Sequence, residues 1–332
     1  MSRLMQIARK IFREFFALWK HYGFAPAFYT LVWWLNFYVS TPFRFKMSRW
    51  ALLRKTAWLN RHIENHYPEI IARYNRPDVG DRISGNVRVW VFWGQGEDAM
   101  PPLVKACYTQ LKLHNIGVTL ITNDNIMEYI DVPPAVLEKV TSGKITWAHF
   151  SDFVRMNLLK KHGGMWIDAT GWVPDAIPVD KLMEMKTYSP NGKTGCGNRD
   201  ICFWTSLGLN WSGWCLWANH VNANVYGFVG DMLSAMIQQE KMTLDYVLVD
   251  YLIYYAVHHF PGIRAEFEKF SELPGNNRGQ LARLMPKVFD EKEYRRLCES
   301  DFVFKLSFRT PWPSRTSEGK VTFYGKLIEN LN

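Results

Sequence analysis

At 332 residues the chain has room for one large domain, or for a domain with an arm, and 48% hydrophobic residues suffice for a sizeable core. Its five cysteines, at 107, 196, 202, 215 and 298, are odd in number and include no Cys-x-x-Cys pair, which argues against a zinc site and fits a reduced, cytosolic compartment. The net charge of +9 is concentrated: residues 1–61 carry 11 Lys or Arg and one acid, Glu14, while the remaining 271 carry 29 basic and 30 acidic residues, so the near-neutral body is a poor candidate for binding nucleic acid.

Residues 1–64 form the arm. From Met1 to Lys20, Leu4, Ala8, Ile11, Phe12, Phe15, Phe16 and Trp19 recur at helical spacing, with Arg3, Arg9, Lys10 and Arg13 mostly on the other side. This is the pattern of a basic amphipathic helix. Residues 23–39 carry no charge and are crowded with Trp, Tyr and Phe, but contain Pro26 and Asn36. A spanning helix takes ~20 predominantly apolar residues, so this stretch is marginal for one. No small-residue cleavage site follows a clean apolar run, so a signal peptide fits poorly. Two main readings remain: helices packed on the body, or a monotopic arm on an anionic membrane surface, at the cytoplasmic face of the plasma membrane. The charge asymmetry favours the second, and a single spanning helix ranks behind both.

Residues 65–85 read as a polar connector with Pro68, Pro77, Gly80 and Gly85, and the main domain, 86–332, begins near Asn86. Val87 to Trp93 is rich in β-branched and aromatic residues and predicts the first strand, ended by Gly94-Gln95-Gly96. The third glycine of a dinucleotide fingerprint is missing. A helix opens at Pro102, and Gly117 to Thr122 predicts the second strand. Strand, helix, strand is a βαβ unit, so a mainly parallel sheet is expected.

The most informative stretch runs from His149 to Thr170. Ser151 is a plausible N-cap, Phe153, Val154, Met156, Leu158 and Leu159 supply an apolar side, and Lys160, Lys161 and His162 suit the last turn before a stop at Gly163. Met165-Trp166-Ile167 suits a short covered strand. Asp152 and Arg155, three apart, share one helical face. Asp168 comes where the strand ends, and strand ends are where open α/β sheets bind ligands. Each residue alone fits an ordinary ion pair or a turn.

In order, Ser-Asp-x-x-Arg followed by Gly-Gly-x-Trp-Ile-Asp-Ala-Thr resembles the central motif of bacterial capsular-polysaccharide-synthesis glycosyltransferases, which look related to the wider group of Asp-x-Asp sugar transferases. The resemblance covers roughly Val87 to the C-terminus and is dense from Trp90 to Pro174. It implies an α/β fold of the GT-A type and a UDP-sugar donor. It implies that Asp152 and Arg155 hold the donor sugar, and that Asp168, with Ala169 beside it, holds the ribose and a divalent cation, Mn2+ or Mg2+. It also implies that Trp93 and Gly94 border the uracil, with a core tryptophan at a strand end an equally good reading of Trp93. One departure bears on the cation: Thr170 stands where the wider group has its second Asp, as it often does in the capsular subgroup, and a hydroxyl is the poorer ligand for a hard cation.

Beyond Thr170, a turn-rich insertion is read at 192–197 and a strand at 201–204. Trp211, Trp214 and Trp217 recur every third residue, which favours a helix packed on the sheet over an acceptor surface. Asp245 and Asp250 stand in the apolar run 244–253, where an unpaired carboxylate is costly. The resemblance implies a catalytic role for them near the acceptor; the alternative is one carboxylate capping a helix and the other facing water. Residues 303–309 resemble the family's late Lys-Leu-x-x-Lys segment, with Arg309 in place of the last Lys, which implies cations for the departing diphosphate at Lys305 and Arg309; a surface charge is the alternative for both and the plainer reading of Lys305.

The implied activity is transfer of a hexose, with retention, from a UDP-sugar to a glycan or lipid-linked glycan acceptor of a capsule or lipopolysaccharide. Thr170 keeps a second reading open, a catalytically inactive sugar- or nucleotide-binding module recruited to the membrane.

Overall fold

The computed structural model describes residues 3–38, 44–75, 80–85, 87–190, 207, 211–268 and 278–329. The insertion read at 192–197 and the strand read at 201–204 lie outside them.

A five-stranded sheet has the order β2-β1-β3-β6-β5. Strands β1 (Val89–Phe92), β2 (Val118–Ile121) and β3 (Gly164–Ile167) are parallel, β1 lying between the other two. Two strands depart from the parallel arrangement: β6 (Cys215–Ala218) runs antiparallel to β3, and β5 (Thr187–Tyr188) antiparallel to β6. The sheet is therefore mixed rather than mainly parallel. The tryptophans spaced by three do not form a helix. Cys215–Ala218 is a fully buried four-residue strand, and a short apolar run of that kind has no periodicity to tell strand from helix. A separate two-stranded ribbon pairs β4 (Gly171–Trp172) antiparallel with β7 (Phe304–Lys305), setting Lys305 opposite Gly171.

Between β1 and β2 lies helix α5 (Pro102–His114), as the sequence predicts. Helix α8 (Trp147–His162) leads into β3. Its N-cap is Thr146, whose hydroxyl accepts from the His149 N–H, and not Ser151. Trp147 and Phe150 extend the helix backwards by a turn, so Asp152 lies in the second turn. At the other end Gly163 has φ +63° and Gly164 φ +85°. A Cβ on Gly164 would stand 2.4 Å from the Arg88 carbonyl oxygen, so this turn from helix to strand admits only glycine. Met165, Trp166 and Ile167 are buried on both faces of the sheet. Helices Asn224–Gln239 and Leu248–His259 continue the core beside α8.

The arm comprises α1 (Arg3–Tyr22), α2 (Phe24–Tyr38) and α3 (Arg44–His66), and within the polar connector α4 (Pro68–Tyr74) is helical. Leu18, Ala27, Leu52, Leu59 and Ile63 belong to the same apolar core as Trp90, Phe153 and Leu252. Polar contacts reinforce the joint. Lys55 Nζ lies 2.5 Å from Asp245 Oδ2 and donates to Thr30 Oγ1 at 2.7 Å, and Glu240 accepts from Tyr67 and meets His62, each at 2.8 Å. The arm thus packs on the body. Its outer side still exposes Phe12, Phe16, Trp19, Phe24 and Phe28. No helix among the described residues is long and apolar enough to cross a membrane.

Lys55→Ala removes the partner of the largely buried Asp245 carboxylate. The expected loss is about 3 kcal/mol, at the low end for a broken buried pair because Asp245 keeps some contact with water. It is read as a lower urea midpoint, and Lys55→Met with Asp245→Leu recovers most of it.

Candidate active site

β1 and β3 are adjacent and parallel, so their C-terminal ends emerge side by side: Trp93 follows one, Asp168 the other. Strands in a sheet lie about 4.8 Å apart, which brings these two positions to one edge. Trp93 packs on the apolar cluster that contains Ile167, Ala169 and Trp214, and Phe308 meets it edge-on at 5.6 Å. Its indole N–H is buried without a hydrogen-bond partner among the described residues. Gly94 leaves room for Asn123, whose side-chain oxygen would lie 2.7 Å from an added Cβ.

Asp168 is the centre of the polar cluster. Its Oδ1 accepts from the Trp166 indole at 2.9 Å, and its Oδ2 lies 2.5 Å from Lys305 Nζ. Its backbone N–H donates to the Trp214 carbonyl at 2.8 Å, fixing the strand end to the residue before β6. Arg155 bridges the two acids, with one guanidinium nitrogen 3.1 Å from Asp152 Oδ1 and 3.6 Å from Asp168 Oδ1. Arg155 also donates to the Gly213 carbonyl and to Ser151, and stands over the Trp166 ring. Arg155 is thus held on several sides and only 11% exposed, whereas Lys305 is 33% exposed and Asp168 25%.

Burial works against every carboxylate here, and the neighbours decide the outcome. For Asp168, Lys305 and Arg155 outweigh burial and hold it below the usual carboxylate range. For Asp152, burial prevails over Arg155 and His149, and Asp168 adds to it, so its affinity for a proton rises. Asp250, in the first turn of Leu248–His259, is pushed up strongly by burial and by Asp152, with Arg155 only partly offsetting them. Trp211 Nε1 helps the charged form of Asp250 slightly, yet makes no hydrogen bond of normal geometry. Carboxylates driven apart in this way mark sites where proton and charge have different holders.

The structure thus brings Asp152, Arg155, Asp168 and Lys305 into one cluster, with Asp250 electrostatically coupled to Asp152 and Arg155. Ala169 and Thr170 are buried behind it, and the Thr170 carbonyl accepts from Leu306 N–H at 3.0 Å. Two predicted residues lie apart. Asp245 pairs with Lys55 of the arm, and caps the turn by accepting from Val247 N–H at 3.2 Å. Arg309 is exposed, 5.9 Å over the Phe308 ring, and so on the Trp93 side rather than on Asp168. The sequence reading missed Trp166 and Ser151 as partners, Trp214, whose ring lies 5.7 Å from Lys305, and Phe308. Trp214 carried a signal, its recurrence with Trp211 and Trp217, but under the wrong element.

The donors do not suit a divalent cation. Mn2+ and Mg2+ take several oxygen ligands. Both Asp168 oxygens are engaged, Thr170 supplies no carboxylate, and among the described residues no three His, Cys, Asp or Glu side chains gather so as to hold a metal ion.

Fold and site together define an α/β protein with a charged cluster at the C-terminal edge of its parallel strands. More narrowly, the chain belongs to the capsular polysaccharide synthesis protein family, whose sequence model matches residues 41–327. No curated protein matches it significantly. Membership implies a part in making capsule polysaccharide, and the matched span includes α3 as well as the whole cluster.

The pKa directions give opposite pH signatures. A lowered folded-state pKa contributes stability that is present above the unfolded value of ~3.9 and lost as pH falls below it. The stability advantage of wild type over Asp168→Asn, measured by urea unfolding, is therefore largest near neutrality and shrinks in acid. Asp250 has the reverse sign: Asp250→Asn gains on wild type as pH rises above ~4.

Proposed function

We propose that the chain is a nucleotide-sugar transferase of the GT-A type that moves a hexose from a UDP-sugar to a capsule- or lipopolysaccharide-type glycan, with retention of anomeric configuration. The observation that carries this reading is the meeting of Asp152, Arg155 and Asp168, from a helix and the following strand, in one ion-paired cluster at the strand-end edge of the sheet that Trp93 also borders. Uracil stacks on Trp93, next to Gly94. Asp168 and the Ala169 backbone face the ribose and diphosphate. Asp152 and Arg155 grip sugar hydroxyls, and their rigid mutual pairing supplies orientation. As the anomeric bond breaks, positive charge grows on the sugar and negative charge on the diphosphate. Lys305 is the exposed cation nearest the second of these, with Arg309 further out on the Trp93 side. Asp250, whose carboxyl is pushed up by burial and by Asp152, stands on the acceptor side, and Asp245 serves from behind through its tie to the arm. Retention rests on the family resemblance.

The arm supports a workplace at the cytoplasmic face of an anionic membrane, where a lipid-linked acceptor resides. Phe16, Trp19, Phe24 and Phe28 form an unbroken run of ring contacts on its exposed side, with Trp19 and Phe24 5.5 Å apart. Arg9, Lys10, Arg13 and Lys20 flank them. Aromatic rings suit the headgroup level, and basic residues suit anionic lipid.

Two measurements test this reading. UDP release is followed with purified protein, a panel of UDP-sugars and a lipid-linked glycan acceptor, with and without Mn2+. Asp152→Asn and Arg155→Lys should each lower kcat/KM about a hundredfold or more, because they loosen donor orientation. If none of the donors gives UDP release while UDP still binds, the inactive binding module is favoured instead. Separately, the protein should float with phosphatidylglycerol vesicles and not with phosphatidylcholine alone, and Phe16→Ser with Trp19→Ser should abolish flotation.

A further inference from the structure

We propose that the Lys305 ammonium occupies the role of a divalent cation in this site, so that the chain binds its nucleotide diphosphate and transfers sugar without a metal. This rests on the sugar-transferase reading. The geometry is direct. A strand-end carboxylate facing a nucleotide diphosphate needs a positive charge between the two anions. Here that position is already taken by a side chain, with Lys305 Nζ 2.5 Å from Asp168 Oδ2.

The fold delivers this lysine deliberately far along the chain. The β4–β7 ribbon sets Lys305 opposite Gly171, and its flanks are fixed by two backbone bonds, Lys305 N–H to Arg278 O at 2.9 Å and Leu306 N–H to Thr170 O at 3.0 Å. The second bond holds β7 against Thr170, the position at which a second carboxylate would stand. The Trp214 ring, 5.7 Å from the ammonium, favours a cation there without supplying a metal ligand.

Charge balance agrees. Asp152 and Asp168 are matched by Arg155 and Lys305, so the cluster has no surplus of negative charge to attract a dication. Arg155 is committed to Asp152, Ser151 and Gly213, and cannot turn outward without breaking those bonds. Lys305 is the more exposed of the two and has three donors on a flexible stem. It can keep Asp168 and donate to a phosphate oxygen at the same time.

In the transfer step the bond from the anomeric carbon to the diphosphate oxygen breaks, and its electron pair stays on that oxygen, where Lys305 donates a hydrogen bond. The acceptor hydroxyl oxygen forms the new bond to the anomeric carbon. Its proton passes to the departing diphosphate and from there to water.

The experiment titrates UDP into the purified full-length chain in EDTA and in Mn2+, by calorimetry. Wild type should bind UDP equally in both. Lys305→Ala should bind about 10- to 100-fold more weakly in EDTA, the loss of one charge-assisted hydrogen bond, while Lys305→Arg keeps most of the affinity. Lys305→Ala combined with Thr170→Asp should recover UDP binding only when Mn2+ is present, which converts the site to metal dependence. Circular dichroism confirms that each variant is folded. The proposal is overturned if wild type loses UDP in EDTA and regains it with Mn2+, or if Lys305→Ala leaves UDP affinity unchanged. UDP bound by wild type in neither buffer would overturn the transferase reading itself, and the proposal with it.

Discussion

Asp168 draws together three stretches remote from one another in sequence: its own unit of α8 and β3, the ribbon strand β7 and the residue before β6. Its carboxylate accepts from Trp166 on its own strand, pairs with Lys305 of β7 and lies within reach of Arg155 on α8, while its backbone is bonded to Trp214 ahead of β6. A carboxylate at the rim of an apolar core stays ionised only if cations are brought to it. The remaining architecture reads as the means of bringing them: a helix that aims Arg155, and a ribbon whose chief product is the position of Lys305. Such clusters add little net stability, since desolvation offsets most of the attraction. What they fix is geometry.

The same electrostatics distributes protons unevenly. Lys305 sits on Asp168 and keeps it charged, Asp152 has a share of one guanidinium, and Asp250 has least compensation of the three. Three acids in one neighbourhood are therefore shifted differently: Asp168 down, Asp152 up and Asp250 further up. No residue type dictates this. It follows from which cation stands nearest and how far each acid lies from water.

Much of the centre was legible because short-range rules govern it. Asp152 and Arg155 are one helical step apart, Gly163 and Gly164 announce a stop, and Met165-Trp166-Ile167 is too short for anything but a strand. Those elements appear where the pattern puts them, apart from an N-cap displaced from Ser151 to Thr146. Legibility fails where pairing is long-range. Lys305 reaches Asp168 across 137 residues through a ribbon of two residues per strand, too little sequence to carry a period. The antiparallel half of the sheet was hidden for a related reason: Cys215–Ala218 is buried on both faces and shows no alternation. Asp245 was singled out correctly as a carboxylate needing a partner, but the partner, Lys55, lies 190 residues away.

The joint between α3 and the rest of the protein has a practical corollary. Charge divides this chain sharply near residue 61, and that boundary invites a shortened protein lacking the basic segment. The interior does not respect it. Leu52, Leu59 and Ile63 are stacked into the layer that also holds Phe153 and Leu252, and Lys55 neutralises Asp245, three residues before the helix Leu248–His259. Trimming the first 85 residues would bare an oily scar and strand a carboxylate on it. Any fragment meant for crystallisation or calorimetry has to keep α3.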